Sequence, residues 1–249
     1  MSKDIEPLLN DWPYEPGQLC VRKITGEDGR EKIQLRIEMG ILQMDVTGRP
    51  DGEQPNGHES LLHYYQAEAQ EPSTEEFILD TDTCLALQME ALQYYHRRIS
   101  FLEIGEYSNA KKDAERNLEL FDFVKEYAED EDDRLALEHY RPYVIGHRVR
   151  AEVLMHLERE SYDKALSKID AGIDEIQTFF KEFDRHDLID ESEEISFLQE
   201  WADEIRRDRP KSLSQDLREQ IREAVGHEDF ERAAELRDQL QSLGDKTEI

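Results

Sequence analysis

The sequence predicts a mainly α protein, an irregular bundle of repeated helical hairpins with a small β-hairpin before it and a separate antiparallel helical hairpin after it. Three observations carry this. Apolar residues alternate with period two early in the chain, recur at three- and four-residue spacing from about residue 59 to 207, and do so again after a basic, proline-containing break. The ten Tyr and nine Phe supply enough large apolar surface for a packed core, although 37% of the 249 residues are charged.

Taken in order, residues 18–24 and 32–39 read as strands. The second alternates Ile33, Leu35, Ile37 and Met39 against Gln34, Arg36 and Glu38. Gly26 and Gly29 between them suit a hairpin connection. Gly48-Arg49-Pro50-Asp51-Gly52 is a second turn, followed by polar loop to residue 58. A lone hairpin is marginal in water, so its apolar face is expected to lie on the helices. Pro72 precedes a long helix capped by Thr81 or Thr83 and running through Leu85, Leu87, Met89, Leu92 and Tyr95 to Leu102. Further helices are expected over 107–129, 142–158, 162–183 and 191–207. The acidic run 129–133 is a solvated exit, and Ile195, Leu198, Ala202 and Ile205 form one stripe. The expected domains are 1–58, a helical domain over 59–207, a linker at 208–213 and a terminal hairpin over 214–245.

Within the helical domain, Tyr107, Ala110, Ala114 and Leu118 are matched by Tyr162, Ala165, Ile169 and Ile173, each 55 positions later. With Leu102 and Gly105 this resembles the centre of a tetratricopeptide repeat. The spacing exceeds the ~34 residues of regular arrays, and Glu160 stands where that family prefers a small residue. The alternative is that Tyr-x-x-Ala simply starts a helix after a tight turn.

After Arg206-Arg207-Asp208-Arg209-Pro210-Lys211, Ser212-x-x-Gln215 has the form of a capping box. Leu217, Ile221 and Ala224 then form one stripe, and Asp229 is placed to cap a second helix. That helix carries Ala233, Leu236, Leu240 and Leu243, with Phe230 one turn earlier filling the gap near the corner. This stretch resembles the UVR motif, the helical hairpin of the bacterial excision-repair proteins UvrB and UvrC and of activators of bacterial protein arginine kinases. Leu217, Ile221, Ala224, Phe230, Glu231, Ala233, Ala234, Arg237, Asp238 and Leu243 carry the likeness. The resemblance implies docking on another such hairpin, with Leu217, Ile221, Phe230, Ala233, Ala234, Arg237 and Leu240 as partner-binding residues. Folding back onto the chain's own helices is the alternative. The Gly-x-x-x-x-Gly-Lys-Ser/Thr loop, the Gly-Ile-Tyr nuclease signature and the Cys-x-x-Cys zinc elements of those relatives are absent from the sequence.

Sixty acidic residues against 31 basic ones give a net charge of −29. Such a surface repels phosphate backbones and anionic membranes, so neither nucleic acid nor membrane is an expected direct partner. The two distant cysteines, Cys20 and Cys84, and the lack of an apolar leader or span point to the cytoplasm. His58 and His63 are one residue too far apart for a zinc pair on one helical face. The tyrosine and phenylalanine pairs read as packing, and Glu191, Glu193 and Glu194 complement a helix start. No cofactor is expected. The chain reads as a non-enzymatic adaptor whose partner is a protein carrying a UVR-type hairpin or a basic surface, or a second copy joined through the hairpin. Alternatives are an accessory factor of nucleotide excision repair docking to UvrB or UvrC, and an enzyme using Arg49 and Asp51 in the N-terminal turn.

Overall fold

A computed structural model describes residues 4–72, 76–210 and 213–244. A short helix α1 (Glu6–Asn10) precedes strands β1 (Cys20–Thr25), β2 (Glu31–Ile37) and β3 (Gly40–Asp45). Helices α2 (Leu61–Gln70), α3 (Thr81–Glu103), α4 (Tyr107–Tyr127), α5 (Glu131–Leu135), α6 (Arg141–Leu157), α7 (Tyr162–Glu182), α8 (Asp187–Glu191) and α9 (Glu193–Asp208) follow, then α10 (Leu213–Gly226) and α11 (Phe230–Gly244). The chain divides into two compact units, residues 1–202 and 203–249, with the boundary inside α9.

The sheet has three antiparallel strands, ordered β1-β2-β3, where the alternation suggested two. The turn that was hidden in the sequence is Glu38-Met39. It joins Ile37 to its partner Gly40 without any left-handed residue, so no glycine or asparagine marks it, and Met39 is 86% exposed rather than in a strand. Ile33, Leu35 and Met44 pack with Ile99, Phe101, Ala110 and Ala151, which places the sheet's apolar face on the helical body. Its polar face is covered too. Gln34 bridges Arg22 (2.7 Å) and Gln43 (2.9 Å), Arg36 donates to the Trp12 carbonyl (2.8 Å), and the Arg22 guanidinium lies over the Trp12 ring. The expected half-buried strand is therefore buried on both faces.

Two other local expectations are corrected. Asp80, not Thr81 or Thr83, caps α3, its carboxylate accepting from the Thr83 amide (2.9 Å). The acidic run after α4 is not merely a solvated exit. Asp130 caps α5 and places Glu131, Asp132 and Asp133 in its first turn, where carboxylates complement the helix dipole.

Helices α3, α4, α6 and α7 pack in sequence, each on the next. The 55-residue recurrence is real in the backbone. The Glu106 amide donates to Phe101 O (2.9 Å) and Gly105 adopts φ +78°; 55 residues later the Ser161 amide donates to His156 O (2.9 Å) and Glu160 adopts φ +52°. Ala110 and Ala165 are both fully buried after their turns. Gly172 lets α6 and α7 approach, since a Cβ there would sit 2.4 Å from Val149. The left-handed Glu160 is strained where Gly105 is not. Glu160→Gly is therefore expected to raise the urea midpoint, by about 1 kcal/mol in stability. A lowered midpoint would contradict the equivalence of the two turns.

Buried charges fasten these parts together. Glu90, with no exposed surface, accepts from the first two amides of α2, Leu61 (2.8 Å) and Leu62 (3.2 Å), and pairs with Arg49 (2.9 Å) and Arg116. Arg97 grips Asp113 through two hydrogen bonds (2.9 and 2.8 Å) and donates to the carbonyls of Asp45 and Gly48. Its neighbour Arg98 donates to His147 Nδ1 (3.2 Å), which holds that imidazole in the neutral, accepting form. Burial, with Arg98 and Arg150 adding repulsion, pushes His147 down to about 3. Below about 6.5 the unfolded chain binds a proton that the native chain refuses, so stability should fall as pH drops from there toward 3 and be unaffected above. Up to about 1.4 kcal/mol per pH unit is at stake. Urea titrations between pH 7 and 4 should show a shallower acid slope for His147→Gln; an identical slope would refute the assignment.

Candidate functional site

The helical hairpin of α10 and α11 is built from short-range rules. The Asp229 amide donates to Ala224 O (2.8 Å) and the Glu228 amide to Val225 O (3.0 Å), with Glu228 left-handed at φ +60°. This corner satisfies the last carbonyls of α10. Asp229 then caps α11, its Oδ1 accepting from the Arg232 amide (3.1 Å). Leu217 and Ala224 on α10 and Ala233 and Leu236 on α11 are buried, and the two helices pack on one another. Alanine at two of these four positions permits the close approach. Ser212 of the expected capping box lies outside the described residues.

The structure sorts the seven residues singled out in the sequence into two sets. Leu217 and Ala233 are buried, and Ile221 and Leu240 are half-buried. Phe230, Ala234 and Arg237 are exposed. Phe230 does not fill the gap near the corner: it is the first residue of α11 and 66% exposed. Val225, at the end of α10, is also exposed, so the corner carries two apolar side chains in solvent. The reason is geometric. The corner directs its buried contacts through Ala224 and Ala233, which leaves the flanking positions facing away.

In the N-terminal turn, Arg49 pairs with Glu90 and Asp51 (3.2 Å), and Asp51 accepts from Gln93 Nε2 (2.9 Å). Both side chains fasten the turn onto α3. His58 lies against the Tyr64 ring and His63 Nδ1 meets Ser60 Oγ (2.8 Å), so the two imidazoles have separate partners. Among the described residues no group of three or more His, Cys, Asp or Glu could hold a metal ion, and no helix is long and apolar enough to cross a membrane.

The helical body holds one feature that the sequence reading missed, a cleft of about 460 Å³ between α3, α4 and α6. The expected apolar run of α3 splits in two. Leu87, Ala91, Tyr94 and Phe101 are buried, whereas Leu85, Met89 and Leu92 line the cleft and are exposed, with Tyr140 and Tyr143 facing them across it. Arg98, only 1% exposed, lines the same cleft. The overlooked signal was position: Leu87, Ala91, Tyr94, Arg98 and Phe101 share one three-four stripe, which puts Arg98 where an apolar residue belongs.

Comparison with known families matches residues 211–246 to the UvrB/uvrC motif. No curated protein and no solved structure matches the chain.

Proposed function

We propose that this chain is a non-enzymatic adaptor that docks on another protein through the α10–α11 hairpin, while its helical body, a tetratricopeptide-like scaffold, engages a second partner. The observation that carries the reading is the exposed apolar corner, Val225 and Phe230, on a hairpin matching the UvrB/uvrC motif. A large aromatic side chain held in solvent at a hairpin corner is the kind of group that interfaces bury. Linking two binding modules in one chain raises the effective concentration of one partner near the other without new contacts. The 55-residue recurrence of the helical turns supports the scaffold reading. A surface carrying −29 favours partners with a basic face and makes association salt-sensitive.

The motif also favours a second reading, an accessory factor of nucleotide excision repair that docks to UvrB or UvrC and reaches DNA only through them. Phe230→Asp in the full chain separates binding from folding. Because Phe230 is exposed, its replacement should change stability by no more than about 0.5 kcal/mol. Partners retained by the wild-type chain in affinity capture should nevertheless be lost. An unchanged partner set would sink the hairpin-docking proposal. Direct titration with purified UvrB and UvrC distinguishes the two readings, since binding to either supports the repair role.

A further inference from the structure

The cleft between α3, α4 and α6 is mostly apolar, yet a charged group sits in its wall. Arg98 donates through Nε to His147, stacks at 5.6 Å over the Tyr95 ring, and leaves its buried Nη1 without a hydrogen-bond partner. Asp113, the nearby carboxylate, is taken by Arg97. Among the described residues Arg98 therefore forms no ion pair. A buried guanidinium is costly unless a carboxylate neutralises it, and here the protein supplies a neutral imidazole instead. The rim adds the complementary apolar part: Leu85, Met89, Leu92, Tyr140 and Tyr143 are each more than a third exposed. Five large apolar side chains around one cavity form a surface that solvent disfavours.

We propose that this cleft binds a small carboxylate with an apolar body, the body lying on Leu85, Met89 and Leu92 and the carboxylate reaching the free Nη1 of Arg98. The volume, about 460 Å³, lies in the range of small-molecule sites. One unpaired guanidinium calls for one negative charge; a doubly charged phosphate would leave a charge uncompensated among apolar walls. The acidic exterior opposes any anion at long range, so recognition rests on short-range pairing inside the cleft, where screening is weak. The Tyr95 ring that lies over the guanidinium packs against Tyr143, ring centroids 6.1 Å apart, and both line the cleft beside Arg98.

Calorimetric titration of the full chain with octanoate and with octan-1-ol tests this. One octanoate should bind per chain, about tenfold tighter than the alcohol, because a charge-assisted hydrogen bond separates them. Arg98→Met should weaken octanoate about tenfold and leave octan-1-ol unchanged. Should that buried variant fail to fold, Leu92→Glu, altered at the exposed rim, should fold and weaken both ligands. Equal affinities for acid and alcohol, or octanoate binding indifferent to Leu92→Glu, would overturn the proposal. So would no octanoate binding at all, which would leave the cleft as a surface for a protein segment.

Discussion

Glu90→Gln should lower the stability of the full chain by about 3–5 kcal/mol, the range for removing one partner of a buried ion pair. The Glu90 side chain has no solvent contact, faces Arg49 and Arg116, and receives the amides of Leu61 and Leu62. Glutamine keeps the shape but removes the charge. The mostly buried Arg116 guanidinium then lacks its carboxylate, and Arg49 is left with Asp51 and Glu53 at the surface of the turn. One first-turn amide of α2 also loses its acceptor, because the glutamine NH2 is a donor. Urea unfolding gives the stability loss, and amide exchange at Leu61 and Leu62 should quicken with it. A loss below about 1 kcal/mol would mean that the arginines find water at little cost, and that this site is not the clamp between the N-terminal turn, α2 and α3.

Asp113→Ala should be comparably damaging, again about 3–5 kcal/mol. Arg97 and Asp113 are each about one-twentieth exposed, and two parallel hydrogen bonds join them. The same guanidinium holds the carbonyls of Asp45 at the end of β3 and Gly48 in the next turn. Without Asp113 the charge remains buried and the fork loses its orientation, so damage should spread from α4 to the sheet. Hydrogen exchange should then show weakened protection in β2 and β3. Replacing both partners, Arg97→Met with Asp113→Leu, should restore part of the loss, because no uncompensated charge is left. Exchange in the sheet unchanged in Asp113→Ala would show that Arg97 does not depend on its carboxylate to fasten the strands.

Much of this molecule is legible from local pattern. The period-two run through Ile33 and Leu35 marks β2, the boundaries of α3, α4, α6, α7 and α9 fall within two residues of the expected ones although the short α5 and α8 were not foreseen, and the terminal hairpin is written in Ala224, Asp229 and Ala233. Features without a local signature were missed. β3 was hidden because its turn uses ordinary backbone conformations. The burial of Gln34 and Arg36 depends on the N-terminal segment returning over the sheet.

Charged residues show the division most clearly. Charge by itself assigns Glu90, Arg97 and Arg98 to solvent, and the sequence places Phe230 in the gap near the hairpin corner. In the structure the three charged side chains are among the most buried groups and Phe230 stands in solvent. The sequence alone determined the helical class and the terminal motif, because each rests on spacing within a few turns of chain, and the acidic character, because it is a matter of composition. Only tertiary structure decided which charges are neutralised, which arginine is left over and which aromatic is free to meet a partner. Those outcomes turn on neighbours brought together from 16 to 52 positions away, as Arg97 meets Asp113 and Asp45.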